Sequence, residues 1–243
     1  MPDTVTSREQ TAARLRKLLD TNRALQAEQD RDPVYTERLR ALQAWQSQRL
    51  LGTHADLAAD ARYAPGVAFF VEDLYAAKDF SGRDANIERA MPYMIRGLPR
   101  AVLDTATEAA GLYVLSRHLD REMVHALFEV QGVTDVHADS YAEAYRICDA
   151  YDERAEQIGI ISTLAGRLDR YVRSPIVLGI LRMARGPARM AGLSELQDFL
   201  ERGASAFHHM GGSQHFVETI SDREQRILDR IFARHPDPFD LDH

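Results

Sequence analysis

Apolar residues recur along this chain three and four positions apart, and no segment alternates with the period of two that a half-buried strand requires. Leu15, Leu18 and Leu25 draw one stripe on a first helix. A Ser7–Gln10 capping box opens it, and it runs to about Glu28. Asp32 and Pro33 supply the N-cap and first turn of a second helix, which carries Leu39, Leu42 and Trp45 and reaches Leu51 or beyond. The two make a helical hairpin whose apolar seam suits internal packing or self-association into a homo-oligomer. Pro65 starts a third helix, and Ser81-Gly-Arg-Asp84 fits the capping box of a fourth that Pro92 and Pro99 interrupt or end.

Residues 101–130 form one long pattern ending at Gly132, with Leu103, Ala106 and Ala110 on one face and Leu119, Met123 and Leu127 on another. A helix apolar on two sides sits among neighbours, so this one is placed at the centre. A further helix is expected from Asp139 to about Val172, stopped by Ser174-Pro175. Shorter ones follow at about 176–185 and 194–210, and Ser213 caps a last helix to about Arg234 after the Gly211-Gly212 break. The pattern predicts an all-α, single-domain helical bundle of eight or nine helices. Residues 1–60 are its N-terminal hairpin, 65–235 its main bundle and 236–243 a loose polar tail.

Composition narrows the function classes. A chain of 243 residues buries a substantial core, and no apolar run approaches the length of a membrane span. The opening MPDTVTSREQ has neither a basic nor an apolar leader region. Cys148 is the one cysteine, so an intrachain disulfide and a cysteine-built metal knuckle are both excluded. A cytoplasmic location is expected. The formal charge of -7 argues against nucleic acid as the main partner.

The stretch FFVEDLYAAKDFSGRD, residues 69–84, holds the most concentrated candidate chemistry. On a helix Val67, Phe70, Val71 and Leu74 share one face, while Phe69, Glu72 and Asp73 fall towards another. The charges are then expected where two packing layers meet. Adjacent helical residues diverge by ~100°, so Glu72 and Asp73 do not converge on one atom as a catalytic dyad would. A desolvated carboxylate needs a partner, and Arg83 and Lys78 are the nearest basic residues. Phe69, Glu72, Asp73, Tyr75, Arg83 and Asp84 are read as one cluster, either an ion-paired joint or a ligand site. FFVEDLY resembles the signature of a bacterial family of uncharacterised proteins carrying an FFLEELY motif. Val71 stands for Leu and Asp73 for Glu, and Ala76 falls where that family commonly has Gly. The resemblance implies a bacterial, soluble, helical protein and no established activity.

Four other constellations carry weaker signals. His118, Glu122 and His125 lie along one strip of the central helix. Glu-x-x-His is the motif of helical di-iron sites, which use it twice, and no second copy is present. Arg182, Arg185 and Arg189 share a helix face opposite Ile176, Ile180 and Met183. That basic amphipathic pattern suits a phosphate, an anionic membrane surface, an acidic partner or pairing within the chain. His208, His209 and His215 surround the Gly211-Gly212 break, where a helix N-terminus near Ser213 is a candidate anion site. Asp149, Asp152, Glu153 and Glu156 read as a solvated acidic stripe.

No complete catalytic constellation is present, and no cofactor is favoured. The chain therefore reads as a soluble helical module that binds a partner protein or small ligand. The competing reading is an iron- or haem-dependent enzyme inside a helical bundle, drawing on His54, Glu72, Asp73, His118, Glu122 and His125.

Overall fold

The computed structural model describes residues 7–74 and 81–241, with the side chains of residues 74, 81–85 and 88 outside that description. Tyr75 and Lys78 fall outside it, as do the side chains of Arg83 and Asp84. Among the described residues every regular element is helical. They are α1 (Arg8–Arg31), α2 (Pro33–Thr53), α3 (Ala55–Ala59), α4 (Ala64–Phe69), α5 (Ser81–Gly97) and α6 (Arg100–Val124). Then come α7 (Ala138–Cys148), α8 (Tyr151–Val172), α9 (Pro175–Met190), α10 (Ser194–Met210) and α11 (Gln214–Phe232). A π-helical turn prolongs α4 over Phe70–Leu74, and another prolongs α6 over His125–Val130. The fold is the all-α one that the periodicity dictates.

The start signals act as their chemistry requires. The Ser7 N–H donates to Gln10 Oε1 at 2.6 Å, and the Gln10 N–H donates back to Ser7 Oγ at 3.1 Å. Asp32 Oδ1 accepts from the Tyr35 N–H at 2.9 Å, with Pro33 inside the first turn.

The two-sided helix is central, because α1, α2, α7 and α8 all pack on α6. Leu15 and Leu19 of α1 close on Leu103, so α6 covers the hairpin seam. Leu39 and Leu42 of α2 meet Met123 and Leu127, with Tyr141 and Ala144 of α7 behind them. A second core gathers Leu57, Val67, Phe207, Met210 and Phe216 where α3, α4, α10 and α11 converge. Burying each such leucine or phenylalanine contributes roughly 1.5–3 kcal/mol.

The described residues form eleven α-helices rather than the eight or nine expected, and the structure departs from expectation at three further places. The helix expected over 139–172 is broken at Asp149, whose φ of 49° is left-handed. No Gly or Pro marks that break; a short polar side chain tolerates the conformation. Helix α9 runs through Pro187 to Met190, because the turn carries on with the Ala191 N–H donating to the Pro187 carbonyl at 3.0 Å. The described part of the tail, to residue 241, is packed: Phe239 lies edge-on to Trp45 at 5.6 Å and also packs beside Tyr141.

Candidate functional site

Phe69 of the FFVEDLY segment closes α4, and Phe70–Leu74 form the π turn. A π turn spends an extra residue and re-aims the side chains after it. Phe69 is buried, Phe70 and Val71 flank the second core, Glu72 is exposed, and Asp73 is 6% exposed. The two carboxylates thus diverge, but Glu72 does not sit between packing layers as expected. The described partner of Asp73 lies on α10. Arg202 Nη2 donates to Asp73 Oδ1 at 2.7 Å, and Arg202 Nε reaches both carboxylate oxygens at 3.2 Å. That bidentate hydrogen bond holds the Arg202 guanidinium above its ordinary range. Phe69 meets Phe199 of α10 at 5.4 Å between ring centroids. Its ring edge also leaves no room at Gly203, where a Cβ would stand 2.8 Å from Phe69 Cζ. One residue type therefore fits that contact, and the segment works as a joint that clamps α10.

A second ionic joint ties α2 to α11. Arg49 pairs with Glu224, and His54 Nε2 lies 3.2 Å from the same carboxylate oxygen. Burial would push Glu224 up, but the Arg49 charge and the hydrogen bonds of His54 and Arg49 outweigh it and hold the carboxyl at about 2. His54 is buried where α2 ends, so the expected candidate haem ligand serves this joint with one ring nitrogen. Its Nδ1 and the Nε of Arg49 find no partner among the described residues.

A polar chain continues nearby. Gln46 Nε2 donates to Asp120 Oδ1 at 3.2 Å, Tyr141 OH bonds Tyr145 OH at 3.2 Å, and the Arg154 guanidinium lies 4.5 Å above the Tyr145 ring. Loss of water pushes both the Asp120 carboxyl and the Tyr141 hydroxyl up. Burial likewise pushes the Cys148 thiol up to about 11, which leaves it little thiolate for nucleophilic work.

The remaining candidates stay apart. His118, Glu122 and His125 are exposed on the outer side of α6. Among the described residues no three His, Cys, Asp or Glu side chains gather as a metal set. The acidic stripe at 149, 152, 153 and 156 is solvent-facing, as expected. The N-terminus of α11 is already occupied, since the Ser213 N–H donates to Asp169 Oδ1 at 3.0 Å. The better-formed hollows are shallow surface features. One of about 690 Å3 lies between α8 and α11, beside Ser162, Ser221 and Asp222. Another of about 320 Å3 lies beside Asp104, Arg167 and Tyr171.

Helix α9 is different in kind. It packs on α8 and α10 among the described elements, and none of its residues is buried. Its inner side is fastened to α10 by Gln197, whose Nε2 donates to the Leu181 carbonyl at 2.7 Å, and by the Arg185–Glu201 ion pair. Arg185, Arg182 and Arg189 are all exposed, and Arg185 is the one whose described ion pair reaches α10. On the outer side Ile176, Ile180, Met183 and Met190 are 73%, 59%, 77% and 85% exposed, at spacings that place them on one stripe. Isolated exposed apolar residues are ordinary; here four are aligned on one helix. Among the described residues no helix is long and apolar enough to cross a membrane.

Sequence reading missed Arg202, Glu224, Arg49 and Arg154. Three of them have other charges beside them in sequence, and only the tertiary fold selects the partner each takes. In comparisons with known proteins, one family model, described as a domain of unknown function (DUF8198), matches residues 25–238. No curated protein and no solved structure matches.

Proposed function

The chain belongs to the DUF8198 family, and from that premise we propose that it is a helical binding module whose working face is the outer side of α9. The observation that carries this reading is the aligned stripe Ile176, Ile180, Met183 and Met190, left in solvent on a helix with no buried residue. The joints described above support it as a scaffold. Asp73 and Phe69 fix α10, and α10 in turn fixes α9 through Gln197 and Glu201. The proposal also places FFVEDLY with the FFLEELY proteins of bacteria and the chain in the cytoplasm. The likeness of residues 69–75 and the single thiol Cys148 support those two points.

Site-specific photo-crosslinking in living cells tests the module reading. A benzophenone side chain is placed at Met183 on the stripe, or at Val130, which is exposed elsewhere on the molecule. Adducts are expected from position 183 and not from position 130. No adduct at 183, or equal labelling at both, overturns the reading.

A further inference from the structure

Resting on that reading of α9, we infer that the face it presents is built for an anionic phospholipid surface. The chemistry of the helix selects this occupant over the alternatives. From Arg170 to Ser194 inclusive the chain holds five arginines and no carboxylate, within a protein whose formal charge is -7. Asp169 pairs with Arg173 and Glu201 with Arg185, so the positive charge of the outward face is carried by Arg182 and Arg189. Arg182 and Arg189 each precede a methionine of the stripe, Met183 and Met190, and so stand ~100° round the helix from it on a common flank. From Ile176 to Met190 the stripe extends about 21 Å, at 1.5 Å per residue. The apolar side chains project away from the body, while the inner side is closed by Leu181, Gln197 and the Arg185–Glu201 pair.

A helix held this way lies flat at an interface. Its isoleucines and methionines enter the boundary between acyl chains and headgroups. The aliphatic stems of Arg182 and Arg189 follow them, and the guanidinium ends stay level with the lipid phosphates. A second copy of this chain is a poorer match. An isologous contact sets the same patch against itself, and the one carboxylate that acts on Arg189, Glu201, is already paired with Arg185. The acidic remainder of the protein weakens long-range attraction, so adhesion depends on this one face and falls as salt rises.

Flotation of the full chain with vesicles tests the inference. The vesicles are phosphatidylcholine alone or phosphatidylcholine mixed with phosphatidylglycerol. Three proteins are compared: the wild type, Ile180→Asp/Met183→Asp and Arg182→Gln/Arg189→Gln. The wild type is expected to float with the mixed vesicles and to remain behind with phosphatidylcholine alone. The arginine pair is expected to lose binding roughly 25-fold, the effect of two basic groups at an anionic surface. The aspartate pair is expected to lose it completely. Failure of the wild type to bind mixed vesicles overturns the inference. Equal binding to both vesicle types, or binding unchanged in both variants, also overturns it. Light scattering separates the second copy: a dimer that Ile180→Asp/Met183→Asp dissolves assigns the face to self-association and removes the lipid. Adducts at position 183 without vesicle binding likewise remove the lipid and leave the docking face. An absence of adducts there removes the docking face itself.

Discussion

Asp73 and Arg202, 129 positions apart, meet in a two-pronged ion pair with its shortest contact at 2.7 Å. The carboxylate side is 9% exposed and the guanidinium side 54% exposed, so the burden of desolvation falls on Asp73. Removing Arg202 takes a two-pronged partner from a buried carboxylate, whereas removing Glu72, which stands in solvent, breaks no such pair. Arg202→Ala is expected to destabilise the protein by about 1–3 kcal/mol. At this chain length that corresponds to a fall in Tm of roughly 2–4 °C per kcal/mol. Glu72→Ala is expected to stay within about 0.5 kcal/mol of wild type. Thermal melts of the two variants at neutral pH separate them, and equal losses would remove the asymmetry argued here.

Gly203 stands against the ring of Phe69, and its missing side chain is what lets α10 approach α4. A Cβ there would come within 2.8 Å of Phe69 Cζ, closer than van der Waals contact allows. Gly203→Ala is expected to cost about 1–3 kcal/mol through overpacking, despite alanine's better helix propensity. Phe69→Leu alone leaves a void, but in the double variant the shorter side chain makes room for the new methyl. Urea unfolding of both single variants and the double is expected to show a favourable coupling of about 1 kcal/mol. Strict additivity would mean that the two residues do not share the contact.

The helices were legible because their signals are local. Ser7 with Gln10 and Asp32 with Pro33 mark starts, and the two-sided pattern of 101–130 marks a centre. The break at Asp149 was not legible, since nothing in its neighbourhood forbids a helix and tertiary packing decides it. The joint at Asp73 was half legible. A carboxylate beside buried aromatics announces a need for a partner, but nothing local points to Arg202. His54 read as a lone histidine, because Glu224 lies 170 positions away in sequence and 3.2 Å away in space. The face of α9 was visible as an amphipathic pattern, yet which side turns outward is inverted from habit. The fold turns Leu181 and Arg185 towards α10 and leaves Ile180 and Met183 out.

That inversion yields its own test. Residues already in solvent lose no packing when they become polar, so Ile180→Asp/Met183→Asp is expected to melt within about 2 °C of wild type. Leu119→Asp, by contrast, places a charge in the core at a residue 1% exposed and is expected to abolish cooperative unfolding. Circular dichroism melts suffice. A large loss of Tm in the α9 variant would mean that the stripe is covered in the folded protein.

The joint of Arg49, His54 and Glu224 makes stability depend on acid in a definite direction. Glu224 titrates at about 2 in the fold against an ordinary 4.5, because the Arg49 charge and two hydrogen bonds overcome the cost of its burial. A carboxyl with a depressed folded value contributes stability above its unfolded value and loses that contribution as pH falls through the folded one. The window therefore lies between about 4.5 and 2. A depression of this size corresponds to roughly 3 kcal/mol at neutral pH. Glu224→Gln keeps the shape and removes the charge. At pH near neutrality it is expected to be less stable than wild type by about that amount, with the guanidinium of Arg49 left short of an anion. As the medium is acidified the wild type should descend towards the variant, and the gap should close within the window. Asp120 shifts the opposite way, and Asp56 and Glu201 shift the same way as Glu224, but all three are present in both proteins and cancel in the difference. Urea unfolding of the pair across that range reads the gap directly. A gap that stays constant down to the acid end would show that Glu224 is not the charge that locks α2 to α11.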